Sequence, residues 1–216
     1  MTDRSESPDA GSPADVVAAK KALRRTVRRS RAERDEELKH RDAADLSTRV
    51  LALEAVRRAS CVAVYASLPD EPGTADLRRA LQQQGIRVLL PVVVEPTSSP
   101  VLDWGLDTGH LEDNNVLNLW QPSGERLGPD AIAQADVLLI PALAVDTNGA
   151  RMGQGRGYYD ATLARLSSLR PDALVIALVH DDELLDAATT PVPREPHDRP
   201  VDGVVTPRRS LSFPRA

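Results

Sequence analysis

Residues 147–160 read TNGARMGQGRGYYD, and this stretch constrains the chain more tightly than any other. Four of the twelve glycines fall here, Gly149, Gly153, Gly155 and Gly157, the last three alternating with Gln154 and Arg156. Glycine loses more backbone entropy on folding than other residues, so such a cluster needs a local reason. Close approach of the backbone to a ligand is one, because successive N–H groups can then converge on an anion such as a phosphate. Arg151 and Arg156 add fixed charge with forked donors suited to phosphate. Asp160 closes the stretch with a hard oxygen ligand of the kind Mg2+ accepts.

The flanks place this stretch. Upstream runs the apolar Val137–Ile140, then Pro141-Ala-Leu-Ala-Val145; downstream, Tyr158, Leu163 and Leu166 carry helical spacing. The glycines are therefore expected at the carboxyl end of a strand, just before or at the start of a helix. That is where ligands bind in open α/β sheets, and a helix N-terminus favours anions. No Gly-Lys-Ser/Thr follows, so the stretch is not a Walker loop, and its third glycine is misplaced for a dinucleotide fingerprint. On the glycine pattern alone, a plain turn between strand and helix remains an equal reading.

A chain of 216 residues suits one α/β domain with small appendages. The formal charge of −5 argues against a protein that binds nucleic acid in bulk. With only 3% aromatic residues, Val, Leu, Ala and Ile must fill the core. Cys61 is the sole cysteine, which excludes an internal disulfide and a multi-cysteine metal site, and its apolar setting reads as a buried, inert thiol. No apolar run approaches the roughly 20 residues needed to span a membrane. The N-terminus carries no apolar signal region, and a cytoplasmic protein is expected.

Residues 1–14 are polar and small and are expected to form a disordered tail, leaving 15–216 as the single domain. From Val16 onward the chain reads as a basic helix, capped at Asp15, with Lys20, Arg24 and Arg28 on one face at i, i+4 spacing. That face admits three readings: a solvated surface, a nucleic-acid patch, or a cover over an anionic ligand held elsewhere. A second helix is expected over about 43–58. The texture then turns to α/β: strands over 61–67, 87–94, 137–145, 173–180 and 201–206, and helices over 75–84 (Thr74 as cap, Gly85 as stop), 157–169 and 183–188. Residues 101–106 suit a short edge strand. Residues 107–130, with Asn114, Asn115, Asn118 and Trp120-Gln-Pro122, read as a long irregular segment of the kind that covers sites. Asp70 and Glu71 sit in the loop after the first strand, where they are candidate site carboxylates. His197-Asp198 reads mainly as a loop feature, and the scattered His40, His110 and His180 give no zinc pattern.

With these pieces in place, the chain resembles the 5-formyltetrahydrofolate cyclo-ligase family, also called methenyltetrahydrofolate synthetase. Pro141-Ala-Leu-Ala-Val-Asp146 followed by Asn148 to Asp160 resembles that family's strand ending in proline and its R-[LM]-G-x-G-x-G-Y-Y-D signature. Lys20-Lys-Ala-Leu-Arg24 resembles its N-terminal K-x-x-L-R helix. Ser67-Leu-Pro-Asp-Glu71 with Thr74 resembles its substrate loop, and His197-Asp198 through Val201-Asp-Gly-Val-Val-Thr206 its C-terminal ending.

The resemblance implies a three-layer α/β/α sandwich with a mostly parallel central sheet and an N-terminal helical segment. It also implies a monomer that uses ATP and Mg2+ to close 5-formyltetrahydrofolate to 5,10-methenyltetrahydrofolate, with neither nucleic acid nor membrane as partner. Carried over by position, ATP would be held by Lys20, Arg24, Arg151, Met152, Gly153, Gln154, Gly155, Arg156, Gly157, Tyr158 and Tyr159. Ala66, Glu71, Gln154 and Tyr158 would meet folate, and Asp160 and Asp202 would place Mg2+. Two other functions stay open on the residues themselves. One is nucleic-acid binding through the basic helix; the other is an α/β enzyme that grips a substrate phosphate without ATP.

Overall fold

Apolar side chains alternate between two faces along the strands of one large sheet, and this alternation sets the layers. In a computed structural model, which describes residues 13–94, 100–114, 119–196 and 198–215, the chain opens with three helices. These are α1 (Pro13–Ala32), α2 (Glu36–Ala52) and α3 (Glu54–Arg57). There follow β1 (Cys61–Ala63), α4 (Ala75–Gln83), β2 (Arg87–Val93) and β3 (Leu102–Leu106), then a hairpin of β4 (Leu111–Asn114) and β5 (Leu119–Pro122). The second half supplies β6 (Val137–Pro141), β7 (Ala144–Asp146), β8 (Arg151–Met152), α5 (Tyr158–Leu169) and β9 (Leu174–Leu178). It ends with β10 (Leu184–Leu185), β11 (Gly203–Val205) and β12 (Ser210–Ser212).

Seven strands form the main sheet in the order β12-β11-β9-β6-β1-β2-β3. The pairs from β11 through β2 are parallel, and the two edge strands β12 and β3 pair antiparallel. Cys61, Ala63, Leu138, Ile140, Ala177 and Val204 face α5, where Leu163 and Leu166 meet them. Val62, Val64, Val88, Leu90, Leu139 and Leu178 face the opposite way, onto Leu46 and Val50 of α2 and Leu77 and Leu81 of α4. Helices thus cover both faces, and strands buried on both sides must be near-continuously apolar, as these are. Burying a Leu or Val side chain contributes about 1.5–3 kcal/mol, and these two layers hold most of the core.

A third apolar cluster joins α1 to a small three-stranded sheet, β10-β7-β8. Val27 and Leu23 of α1 pack there with Leu143, Ala144, Met152 and Val192. The helix is anchored at its far end by Arg31, whose Nε and Nη2 donate to the two carboxylate oxygens of Glu183 at 2.6 and 2.8 Å. Arg31 Nη2 also donates to the Ala142 carbonyl at 2.6 Å. Among the described residues, no helix is long and apolar enough to cross a membrane.

Several local expectations are corrected. Pro13 and Ala14, placed in the tail, are already helical; Pro13 suits a first helical position because its missing N–H has no partner to lose. Residues 1–12, Asn115, Asn118 and His197 lie outside the described residues. The second helix begins at Glu36, where the Asp35 carboxylate accepts from the Leu38 amide at 2.7 Å. The run 137–145 is two strands in different sheets, because after Pro141 the chain bends until the Leu143 amide donates to Met152 O at 2.7 Å. Residues 183–188 are not a helix: a short turn of 3-10 helix over Asp181–Glu183 gives way to β10, which pairs with β7. The polar segment 107–130 contains the β4–β5 hairpin. Thr74 stands at the cap position of α4 without capping it; its hydroxyl donates to Tyr65 O at 2.7 Å and closes the loop after β1.

Candidate active site

The parallel strands end together on one side of the sheet, and a cavity of about 510 Å³ opens there. Tyr65 and Ala66 reach it just past β1, Pro91 and Val93 from β2, and Pro141 from β6. This is the general location of ligand sites in open α/β sheets.

Helix α1 forms one wall. Lys20, Arg24 and Arg28 are spaced one turn apart and all line the cavity. Each is tied to a different part of the distant chain. Lys20 Nζ donates to Glu195 Oε2 at 2.7 Å and to Asp198 Oδ2 at 2.5 Å. Arg24 Nε donates to Gly153 O at 3.0 Å, and Arg28 Nη2 donates to Gln154 Oε1 at 2.8 Å. Burial alone would lower the Lys20 pKa, but the hydrogen bonds and charges of Asp198 and Glu195 outweigh it and raise the pKa above its ordinary value. The basic face is therefore turned toward the protein and its cavity.

The glycine stretch divides into two parts. Residues 147–150 turn the β7–β8 hairpin, and the cavity wall begins at Arg151 and runs to Asp160. An antiparallel hairpin thus separates the parallel strand β6 from α5, where the sequence suggested a direct strand-to-helix passage. Gly155 has φ +90°, and a Cβ there would stand 3.1 Å from Arg24 Cζ; glycine lets the loop lie flat against the guanidinium. Gly157, at φ +77°, leads into α5 without a side-chain cap, so the helix N-terminus opens beside the loop. Buried Arg151 pairs with Asp160 through Nη2, fixing the only carboxylate of this stretch.

The rest of the lining differs in character: Tyr65, Ala66, Leu68, Glu71, Tyr159, Val93, Leu102 and Trp120 also line the cavity. Burial pushes the Glu71 pKa up, against a hydrogen bond from the Leu68 amide at 3.1 Å and the charge of Arg31. Burial also raises the Tyr65 and Tyr159 hydroxyls, so both stay neutral at physiological pH. The cavity thus carries a cationic set of residues and an apolar set that includes one carboxylate and two phenols.

Every residue expected to meet ATP or folate lines this cavity: Lys20, Arg24, Ala66, Glu71, and Arg151 through Tyr159. Asp160 does too, but Asp202 does not. It precedes β11, and its amide pairs with Val175 O near the start of β9, at the amino ends of the strands. Its carboxylate accepts from the Val175 amide at 2.8 Å and from Arg215 at 2.9 Å. The sheet runs parallel as expected, and for that reason a residue before a strand falls on the opposite side from one after it. Asp202 therefore cannot share an ion with Asp160. Asp70 is exposed and lies 3.6 Å from Lys39, away from the cavity.

Asp198 occupies the place expected of Asp202. It lines the cavity and meets Lys20 across it. Its neighbour His197 suggested loop structure only, and the tie to Lys20 is invisible in a sequence. Arg28 is a second residue beyond the expected set, though its i+4 spacing from Arg24 was a usable signal. Among the described residues no group of three or more His, Cys, Asp or Glu is arranged to hold a metal. Two carboxylates on one cavity, Asp160 and Asp198, nevertheless fit Mg2+, which commonly takes one or two carboxylates and completes its shell with phosphate and water.

Comparison with known proteins shows the family of the chain. The sequence profile of the 5-formyltetrahydrofolate cyclo-ligase family matches residues 16–207. A 5-formyltetrahydrofolate cyclo-ligase of Mycolicibacterium smegmatis is 41% identical over 152 residues, 69% of this chain and 75% of that protein. The Escherichia coli K12 enzyme of the same name is 29% identical over 163 residues, 76% of this chain and 86% of that one. The solved structure of Aquifex aeolicus 5,10-methenyltetrahydrofolate synthetase superposes with a TM-score of 0.73 at 22% identity, covering 91% of this chain and 94% of that one. The last likeness shows the fold; the matched profile, spanning both walls of the cavity, shows the family, and the chain belongs to the 5-formyltetrahydrofolate cyclo-ligases.

Proposed function

We propose that this protein closes 5-formyltetrahydrofolate to 5,10-methenyltetrahydrofolate at the expense of ATP, with Mg2+, releasing ADP and phosphate. The observation that carries the reading is the mixed lining of one cavity, on which Lys20, Arg24, Arg28 and the glycine loop stand together with Glu71, Tyr65 and Tyr159. A triphosphate suits the first group and an uncharged ring system the second, with the reacting atoms where they meet, near Gln154 and Tyr158.

The reaction needs such a meeting point. A formamide oxygen is a poor leaving group. Transfer of the γ-phosphoryl group to it gives an iminium phosphate; the neighbouring folate nitrogen then attacks the formyl carbon, loses its proton, and phosphate departs with the former formyl oxygen. Phosphoryl transfer of this kind is mostly positioning and charge neutralisation. Lys20, Arg24 and Arg151 supply fixed cations for the phosphate oxygens, and the loop amides with the α5 N-terminus supply oriented donors. Asp160 and Asp198 would hold Mg2+, which would offset the charge of the phosphates. Glu71 and Ala66 would position the formyl-bearing end of folate. The protein is taken to act as a monomer. Purified protein with 5-formyltetrahydrofolate should build up methenyltetrahydrofolate absorbance when ATP and Mg2+ are present, and none when either is withheld. Product formation without ATP would overturn the proposal.

A further inference from the structure

Trp120 is 53% exposed, although it lines the cavity; the chain's other tryptophan, Trp104, is 1% exposed in the core. Trp120 sits in β5, in register with Asp113 of β4. β5 packs on β2 and β3, and within the hairpin buried Gln121 donates to Glu112 Oε1 at 3.2 Å. The strand thus presents a large indole half to solvent at the cavity. Pro91, Val93 and Leu102, from the strands β2 and β3 on which β5 packs, line the same cavity and are uncharged, while the cations stand on α1 and the glycine loop. An exposed indole beside apolar side chains matches the face of a flat, uncharged ring far better than a phosphate.

Resting on the function proposed above, we infer that Trp120 is a specificity residue that stacks on the p-aminobenzoyl ring of the folate. The formyl group must lie between the phosphates and Glu71 for the chemistry to occur. The p-aminobenzoyl ring, joined through the attacking nitrogen, is the flat part of the substrate that extends from that point toward Trp120. The adenine of ATP is the competing occupant.

Tryptophan emission tests this apart from turnover. Because Trp104 is sealed in the core, a ligand-dependent change reports Trp120, and the Trp120→Phe protein, left with Trp104 alone, gives the background. 5-Formyltetrahydrofolate alone should quench the emission of the unaltered protein beyond that background, and ATP alone should not. In steady-state assays, Trp120→Ala should raise KM for 5-formyltetrahydrofolate about tenfold, with kcat and KM for ATP within about twofold, and Trp120→Phe should restore most of the loss. 5-Formyl-6-aminomethyltetrahydropterin, which keeps the attacking nitrogen but lacks the p-aminobenzoyl ring, should be handled equally by the unaltered protein and Trp120→Ala. Quenching by ATP alone, or an unchanged folate KM in a Trp120→Ala protein that melts normally, overturns the inference while leaving the cyclo-ligase reading intact. Absence of turnover by the unaltered protein would instead strike that reading.

Discussion

Lys20 and Asp198 are 178 residues apart and meet at 2.5 Å across the mouth of the cavity. The first helix and the last proline-rich loop are thereby joined at the cavity, and Glu195 completes the contact at 2.7 Å. The Lys20 ammonium and the Asp198 carboxylate thus neutralise each other.

Lys20→Ala should weaken ATP binding by about 1.5–3 kcal/mol, the usual range for a lost charged hydrogen bond. Calorimetric titration with ATP and Mg2+ checks it. An unchanged affinity would place Lys20 outside the phosphate site and leave it as a tie between α1 and the 195–198 loop.

Metal dependence should separate three aspartates. Asp160→Asn and Asp198→Asn should each need more free Mg2+ for half-maximal turnover at saturating ATP. Asp202→Asn should keep the Mg2+ dependence and lose stability, because its carboxylate accepts from the Val175 amide and Arg215 on the far side of the sheet. Titration of activity against free Mg2+, paired with denaturant midpoints, reads both. A raised Mg2+ requirement in Asp202→Asn alone would contradict the site.

Glu71→Gln should impair folate use more than ATP binding. Its carboxylate lines the cavity with Ala66 and Tyr65, and a carboxylate repels a triphosphate. Equal loss of affinity for both substrates would point to a general distortion.

The buried pair Arg31–Glu183 should carry stability rather than chemistry. Glu183→Gln leaves the Arg31 charge buried without its bidentate partner, and loss of one member of such a pair destabilises by about 3–5 kcal/mol. Urea denaturation gives the figure directly; a change under about 1 kcal/mol would mean the pair contributes little.

His180 should make the fold acid-sensitive. Burial, with Arg34 and Arg31 nearby, lowers its pKa from the ordinary 6.5 to about 3, so the folded protein holds it neutral. Between those values the unfolded chain takes up a proton that the folded one refuses. The stabilisation is present above pH 6.5 and falls as the pH drops toward 3, by at most about 1.4 kcal/mol per pH unit. Stability measured across that window should fall less steeply in His180→Gln than in the unaltered protein; equal slopes would mean that His180 is charged in the folded state.

Much of this was legible in the chain. Apolar runs at 87–94, 137–140 and 173–180 gave buried strands because burial on both faces leaves one pattern only. Gly85 marked the end of α4 because its φ of +75° suits few other residues. The basic and glycine-rich lining of the cavity could be read from residues because Lys20, Arg24 and the glycines occur as local motifs. What failed depended on contacts between distant segments. Leu184–Leu185 became a strand through pairing with β7, not through propensity. Asp202 and Asp198 are only four positions apart, yet they stand on opposite sides of the sheet. Which of them reaches the cavity is decided by where β11 starts, and no local pattern carries that information.

The most direct measurement is the stoichiometry of the reaction in one vessel. ADP, phosphate and methenyltetrahydrofolate should appear together in a one-to-one-to-one ratio when 5-formyltetrahydrofolate, ATP and Mg2+ are supplied. Nucleotide hydrolysis that proceeds at the same rate without folate, or methenyltetrahydrofolate formed with no ADP, would contradict the account.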